Sequence, residues 1–243
     1  MHPHNCFITL TYNQENVPRD GSVKVEHWQK FAKRLRKRLG PFRFLHCGEY
    51  GETNYRPHYH ALLFGQDFHH DRKLWKSTGA NETFTSETLE ETWGHGFTTV
   101  GHLTWQSAAY VSRYVMKKAT KPHSDESASE YVERYGRLDE ETGEFWCVKP
   151  EYITMSRRPG LAAQWYEKYK SDVYPSDEVV HDGRKHRPPK YYDNLLEAEN
   201  PQRHESIKHK RRGKVDYANN TPDRLKVREA VLNARLTQLQ RKL

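Results

Sequence analysis

The stretch Arg56-Pro57-His58-Tyr59-His60-Ala61-Leu62-Leu63-Phe64-Gly65 decides how this chain reads. It is short, rich in bulky apolar side chains and bounded by Pro57 and Gly65, the pattern of a buried strand. Side chains two apart on a strand share a face, so His58 and His60 project together while Tyr59 enters the opposite layer. Two imidazoles side by side on a rigid strand are half of a metal site. On their own they read equally as ordinary strand histidines in a chain that carries 15. The segment upstream tips the balance. Phe42-Arg43-Phe44-Leu45-His46-Cys47-Gly48-Glu49-Tyr50-Gly51 alternates and then breaks at glycines, as a neighbouring strand does. A hairpin-like return through Glu52 to Pro57 sets Glu49 beside the histidine pair. Two imidazoles and one carboxylate suit Mg²⁺, Mn²⁺ or another divalent ion with open positions. Zinc accepts the same ligand types, but a structural zinc site normally uses thiolates. Cys6, Cys47 and Cys147 show no CxxC spacing.

Composition bounds the rest. Of the 243 residues, 35% are hydrophobic, 30% charged and 12% aromatic, enough for a modest core but not for a chain packed from end to end. A net charge of +8 favours a polyanionic partner, most simply nucleic acid. The odd, scattered cysteines point to a reducing compartment. No stretch approaches the roughly 20 apolar residues of a membrane span, and Met1-His2-Pro3-His4 does not open a signal peptide, so a soluble intracellular protein is expected.

From the N-terminus, residues 6–12 form a β-branched and aromatic alternation that predicts a first strand, with Thr9 and Thr11 on one face with Phe7. Residues 25–39 predict a helix buried through Trp28, Phe31, Ala32, Leu35 and Leu39 and stopped by Gly40-Pro41. Its other face, Lys30, Lys33, Arg34, Arg36, Lys37 and Arg38, reads equally as a solvated surface or a DNA contact. After the His58–His60 strand, residues 66–81 read as irregular, with His69-His70 incidental in a polar loop. A short helix over 86–93, N-capped by Ser86, and a strand over 96–103 follow. This order suits an antiparallel sheet with helices on one face.

Residues 104–119 predict a helix on which Trp105, Ala108, Val111, Val115 and Ala119 form the buried side. Tyr110, Tyr114 and Lys117 fall on the opposite, polar side, the tyrosines one turn apart. Residues 121–143 read as a polar surface excursion, 145–155 as strand-like, and 161–170 as a helix opened by Ser156-Arg157-Arg158-Pro159-Gly160. Beyond Ser171 the composition turns basic and Pro/His-rich. Lys208 to Arg212 is the densest run, read either as phosphate-binding or as disordered. A last helix starts at Thr221-Pro222 with Leu225, Leu232, Leu236, Leu239 and Leu243 on a stripe.

Taken in order, Phe7-Ile8-Thr9-Leu10-Thr11, Gly-Glu49-Tyr-Gly, Arg-Pro-His58-Tyr-His60, the Tyr110-x-x-x-Tyr114 helix with Lys117-Lys118, and Met155-Ser-Arg-Arg-Pro-Gly160 resemble the HUH endonucleases. More narrowly they resemble the replication initiators of gokushovirus-like microviruses, over residues 6 to about 170. The resemblance implies an α+β fold, a central antiparallel sheet of HUH/RRM-like, ferredoxin-like type with helices packed on it. It implies a nuclease domain over 1–170 and a basic, partly helical extension over 171–243. It also implies an initiator that nicks and rejoins single-stranded DNA at a replication origin through a 5′-phosphotyrosine, to start and end rolling-circle replication. Tyr110 and Tyr114 are then the nucleophiles, and Lys117 and Lys118 position the phosphate. Glu49, His58 and His60 hold Mg²⁺ or Mn²⁺. Thr9, Thr11, Arg56, Arg113, Arg157 and Arg158 contact DNA. Host helicase and polymerase are the expected protein partners, in the cytoplasm of the bacterial host. A non-catalytic single-strand-binding module explains the charge and aromatics but gives no reason for the His–Glu set and the paired tyrosines. Relaxases and transposases of the same chemistry remain open.

Overall fold

The computed structural model describes residues 1–51, 53–79, 81–117 and 125–238. Glu52, Lys118, Ala119, Leu239 and Leu243, each named in the sequence reading, lie outside them. The chain divides into two compact units, His2–Leu161 and Ala162–Lys242.

The first unit is built on a seven-stranded sheet of β1 (Asn5–Thr11), β2 (Arg43–Tyr50), β3 (Pro57–Phe64), β4 (Lys73–Thr78), β5 (Asn81–Thr85), β6 (Thr98–His102) and β9 (Tyr152–Met155), with a separate hairpin of β7 (Gly136–Leu138) and β8 (Phe145–Cys147). The sheet order is β4-β5-β6-β1-β3-β2-β9, every pairing antiparallel. β1 alternates as its sequence predicts: Cys6, Ile8 and Leu10 are buried, and Phe7, Thr9 and Thr11 face the other side. α1 (Val25–Leu39) and α2 (Glu87–Trp93) cover the Ile8–Leu10 face. Trp28, Phe31 and Leu35 of α1 are at most 1% exposed there, and burial of each such side chain contributes about 1.5–3 kcal/mol. Gly40, at φ 88, ends α1 with its N–H donating to the Arg36 carbonyl. Ser86 caps α2, its hydroxyl accepting from the Leu89 N–H at 3.1 Å.

α3 (Trp105–Lys117) covers the other face, packing on β2, β3 and β9, so the helices lie on both sides of the sheet. Its rotation differs from the sequence reading. Ser107 and Val111 are buried, Tyr110 packs with the sheet, and Trp105 is exposed. The apolar stripe misleads because a tyrosine can bury its ring while presenting its hydroxyl to a polar site.

Two further readings are corrected. The irregular stretch after β3 contains the β4–β5 hairpin, and β4 carries no periodicity because all its side chains are exposed. The excursion over 121–143 contains α4 (Asp125–Tyr135), anchored by Tyr135 and Arg134, which both donate to the buried Glu151 carboxylate.

The second unit holds α5 (Ala163–Ser176), the hairpin β10 (Val179–His181) and β11 (Arg184–His186), α6 (Lys190–Glu199), α7 (Pro201–Gly213) and α8 (Pro222–Thr237). Tyr166, Val173, Tyr174, Tyr192, Leu196 and Ile207 form its core. The basic run is therefore helical, and Arg211 within it is spent internally, at 2.5 Å from Asp177 and 2.8 Å from Asp193. Leu225 and Leu232 of α8 are exposed.

Candidate metal centre and nucleophile

Register builds the site. Glu49 of β2 stands directly opposite His58 of β3, which in turn stands opposite Thr11 of β1; His60 stands between Cys47 and Thr9. Glu49, His58 and His60 thus share the sheet face under α3. Both imidazole Nε2 atoms converge on one carboxylate oxygen, Glu49 Oε1, from His58 at 2.9 Å and His60 at 2.8 Å. The three potential ligand atoms all lie within 4.8 Å of one another. Burial alone would raise the Glu49 pKa, but hydrogen bonds and charge from the two histidines outweigh it and bring it down to about 2. Burial lowers the pKa of His60, with Glu49 acting in the other direction.

The far sides of both rings are held. His58 Nδ1 lies 3.1 Å from the Arg56 carbonyl, which can only accept, so Nδ1 carries the proton and Nε2 of the neutral ring turns its lone pair inward. His60 Nδ1 lies 2.9 Å from Thr9 Oγ1, while the ring stacks on Phe7 at 5.2 Å and meets the Tyr110 ring edge-on at 5.2 Å. Outer partners of this kind orient metal-bound histidines. The residues fit a divalent ion: two nitrogen donors and one oxygen donor converge, their orientation is fixed from behind, and His58 and His60 keep 16% and 10% of their side chains exposed.

The Tyr110 hydroxyl donates to the same Glu49 Oε1 at 3.4 Å, bringing a nucleophile candidate to the ligand set. Tyr114 and Lys117 lie one and two turns further along α3, and Arg113 on the same helix; their backbone is described. The expected DNA-contact residues divide. Thr9 is occupied by His60, and the Thr11 hydroxyl donates to the Phe97 carbonyl at 2.9 Å. Arg56 donates to the Tyr12 carbonyl and to Gln14, while Arg157 and Arg158 are exposed beyond β9. Sequence reading did not find the role of Thr9 as an orienting group, although its face was legible from strand parity. A second cluster, His4, Asp67 and His69, gathers at the opposite end of β1 and β3, with Asp67 2.6 Å from His69 and 3.2 Å from His4. No pattern in the sequence joins His4 to Asp67.

Comparison with known proteins supplies the class: residues 5–119 match the family model of the ORF2-type replication-associated proteins. The chain is 31% identical over 209 residues to the Replication-associated protein ORF2 of Spiroplasma virus 4, covering 81% of this chain and 59% of that protein. It is 27% identical over 276 residues to the Replication-associated protein VP4 of Bdellovibrio phage phiMH2K, covering 100% of this chain and 81% of that one. With the Replication-associated protein ORF4 of Chlamydia phage 1 it shares 26% over 204 residues, 80% of this chain and 46% of that one. The chain is thus a relative of the replication-associated proteins of small single-stranded DNA phages. No solved structure matches it. Among the described residues no helix is long and apolar enough to cross a membrane.

Proposed function

We propose that the chain is a metal-dependent HUH-type endonuclease that nicks and rejoins single-stranded DNA at a phage replication origin, starting and ending rolling-circle replication in the host cytoplasm. One observation carries the reading: Glu49, His58 and His60 converge on a single carboxylate oxygen to which the Tyr110 hydroxyl also donates. In this reading the seven-stranded unit is the HUH/RRM-like nuclease core, and the basic residues of the C-terminal part hold DNA without sequence preference.

When bound, Mg²⁺ or Mn²⁺ would act as a Lewis acid on the scissile phosphate and neutralise developing charge. Thr9 and the Arg56 carbonyl keep both imidazoles aimed inward, so the ligand set needs no reorganisation as the strand arrives. The Tyr110 oxygen attacks phosphorus, its proton passing to solvent. A tyrosine O–P bond forms as the P–O3′ bond breaks, and the departing oxygen takes up a proton to become a free 3′-OH. The ester conserves the energy of the cut linkage, so a 3′-OH attacking it rejoins the strand and restores the tyrosine. Tyr114, one turn away, holds or attacks the second end, with Lys117 and Lys118 positioning the phosphate. The 3′-OH is a primer for a host polymerase, working behind a host helicase.

The test is a denaturing gel of protein incubated with a single-stranded origin oligonucleotide and Mn²⁺. A covalently shifted band is expected from the wild type and from Tyr110→Phe and Tyr114→Phe singly. None is expected from the double variant, nor from His58→Ala or His60→Ala. A band surviving in the double variant refutes the nucleophile assignment, and full activity of both histidine variants in chelator refutes the metal assignment.

A further inference from the structure

A cross-strand row runs over the metal face of the sheet: Glu49 on β2, His58 on β3, Thr11 on β1 and, beyond it, Phe97 at the start of β6. The Phe97 carbonyl accepts from both the N–H and the hydroxyl of Thr11, each at 2.9 Å, which pins this end of the row. Gly96 makes the approach possible. At φ +143 it runs so close to β1 that a Cβ would lie 2.3 Å from the Asn13 nitrogen. Phe97 nevertheless leaves 42% of its surface exposed, and Trp75 of β4, 56% exposed, packs edge-on to it with ring centroids 5.1 Å apart.

The surroundings of the pair are basic on that face. Lys76 pairs with Thr83, Thr83 with Gly101, and Gly101 with Phe7, and Lys73 pairs with Thr85. Strand parity therefore puts Lys73 and Lys76 on the metal face, both exposed. Thr83, Thr85, Thr99 and Gly101, which share that face, carry no charge, whereas Glu82 pairs with Ser77 and belongs to the opposite face. Two strand spacings separate Phe97 from His58, roughly 10 Å. That is about three nucleotides at the stacked rise of roughly 3.4 Å, and fewer in an extended strand. Two large rings held in water beside two lysines, in line with a metal-ligand set, match what a single strand offers: a π-face and flanking phosphates.

We propose that Trp75 and Phe97 form a stacking clamp for one base of the single strand near the cleavage point, with Lys73 and Lys76 holding the adjoining phosphates. The proposal rests on the nuclease reading of the metal face and names where its substrate is gripped. The clamp fixes which phosphate of the strand reaches Tyr110, and because every base has a π-face it does so without demanding one base identity.

The experiment is a binding titration of full-length protein with a fluorescent single-stranded oligonucleotide in chelator, where no cutting is required. Trp75→Ala/Phe97→Ala should keep the wild-type melting temperature, since both rings are exposed, and bind about 5- to 100-fold more weakly. Moving one abasic site along the oligonucleotide should find a position that costs the wild type a similar factor and costs the double variant nothing further. Trp75→Phe/Phe97→Tyr, which keeps two stacking rings, should restore most of the affinity. Unchanged single-strand affinity in the double variant, an equal loss on duplex DNA, or no abasic position coupled to the pair would each overturn the clamp. If the wild type forms no covalent adduct, the nuclease reading falls, and the chelator titration still decides the clamp by itself.

Discussion

Replacing Thr9 by valine is the sharpest probe of how the metal centre is held. Thr9 Oγ1 is 2.9 Å from His60 Nδ1, and valine keeps the shape while removing the only atom that can donate or accept there. The hydroxyl serves His60 in either proton arrangement, accepting when Nδ1 carries the proton and donating when Nε2 does. Phe7 and Tyr110 wall the ring in, and His60 as a residue is 8% exposed, so water cannot readily replace the lost partner. An unsatisfied buried group costs about 1–3 kcal/mol, and loss of an outer-shell partner typically lowers metal affinity 10–100-fold, about 1.4–2.8 kcal/mol. Titration calorimetry with Mn²⁺ should therefore show a dissociation constant raised by one to two orders of magnitude. Thr11→Val is the matched control, because the Thr11 hydroxyl serves the Phe97 carbonyl, and its Mn²⁺ affinity should stay within about twofold of wild type. Equal Mn²⁺ affinity in wild type and Thr9→Val would refute the orienting role and the ligand geometry built on it.

Gly48→Ala should lower stability by about 1–3 kcal/mol in urea unfolding, because an added Cβ would lie 2.6 Å from Tyr152 Cε1 in a packed layer; a variant as stable as wild type would show that Tyr152 moves freely. His46 is buried and stacked on Trp28 at 3.9 Å, and burial holds its pKa well below 6.5. The unfolded chain binds a proton there that the folded chain refuses, so the stabilising contribution is complete above about pH 6.5 and is lost as the pH falls below it. Melting temperature against pH should fall less steeply on the acid side for His46→Phe than for wild type; His27 and His95, shifted down chiefly by burial too, keep the difference partial. Parallel acid limbs would exclude His46 as a contributor.

What the sequence revealed follows from how local each signal is. α1 and the strands flanking Glu49 and His58 were legible because burial imposes period 3.6 or period 2 on their own residues. The Glu49–His58–His60 set was legible because strand parity and a short return place all three. The β4–β5 hairpin was not, since β4 exposes every side chain and is held by its backbone ladder. The rotation of α3 was misread because Trp105 counts as apolar yet is exposed, while Tyr110 counts as polar yet packs against His60. The pairing of Arg211 with Asp177 and Asp193 joins residues 34 and 18 apart, so a run of like charges gave no hint that one member is internal.

All three proposed ligands come from one stretch of chain, between Glu49 and His60 on adjacent antiparallel strands. Side-chain direction has a period of two, so sliding β2 by a single residue against β3 would send Glu49 to the α1 side and leave both histidines without a carboxylate. The ligand set therefore exists in one register and no other. It can close as soon as this hairpin zips, before the pairing that brings Thr9 across 51 residues of chain. An ion captured at that stage would act as a proofreader of assembly, rewarding the correctly paired hairpin and leaving a slipped one unrewarded.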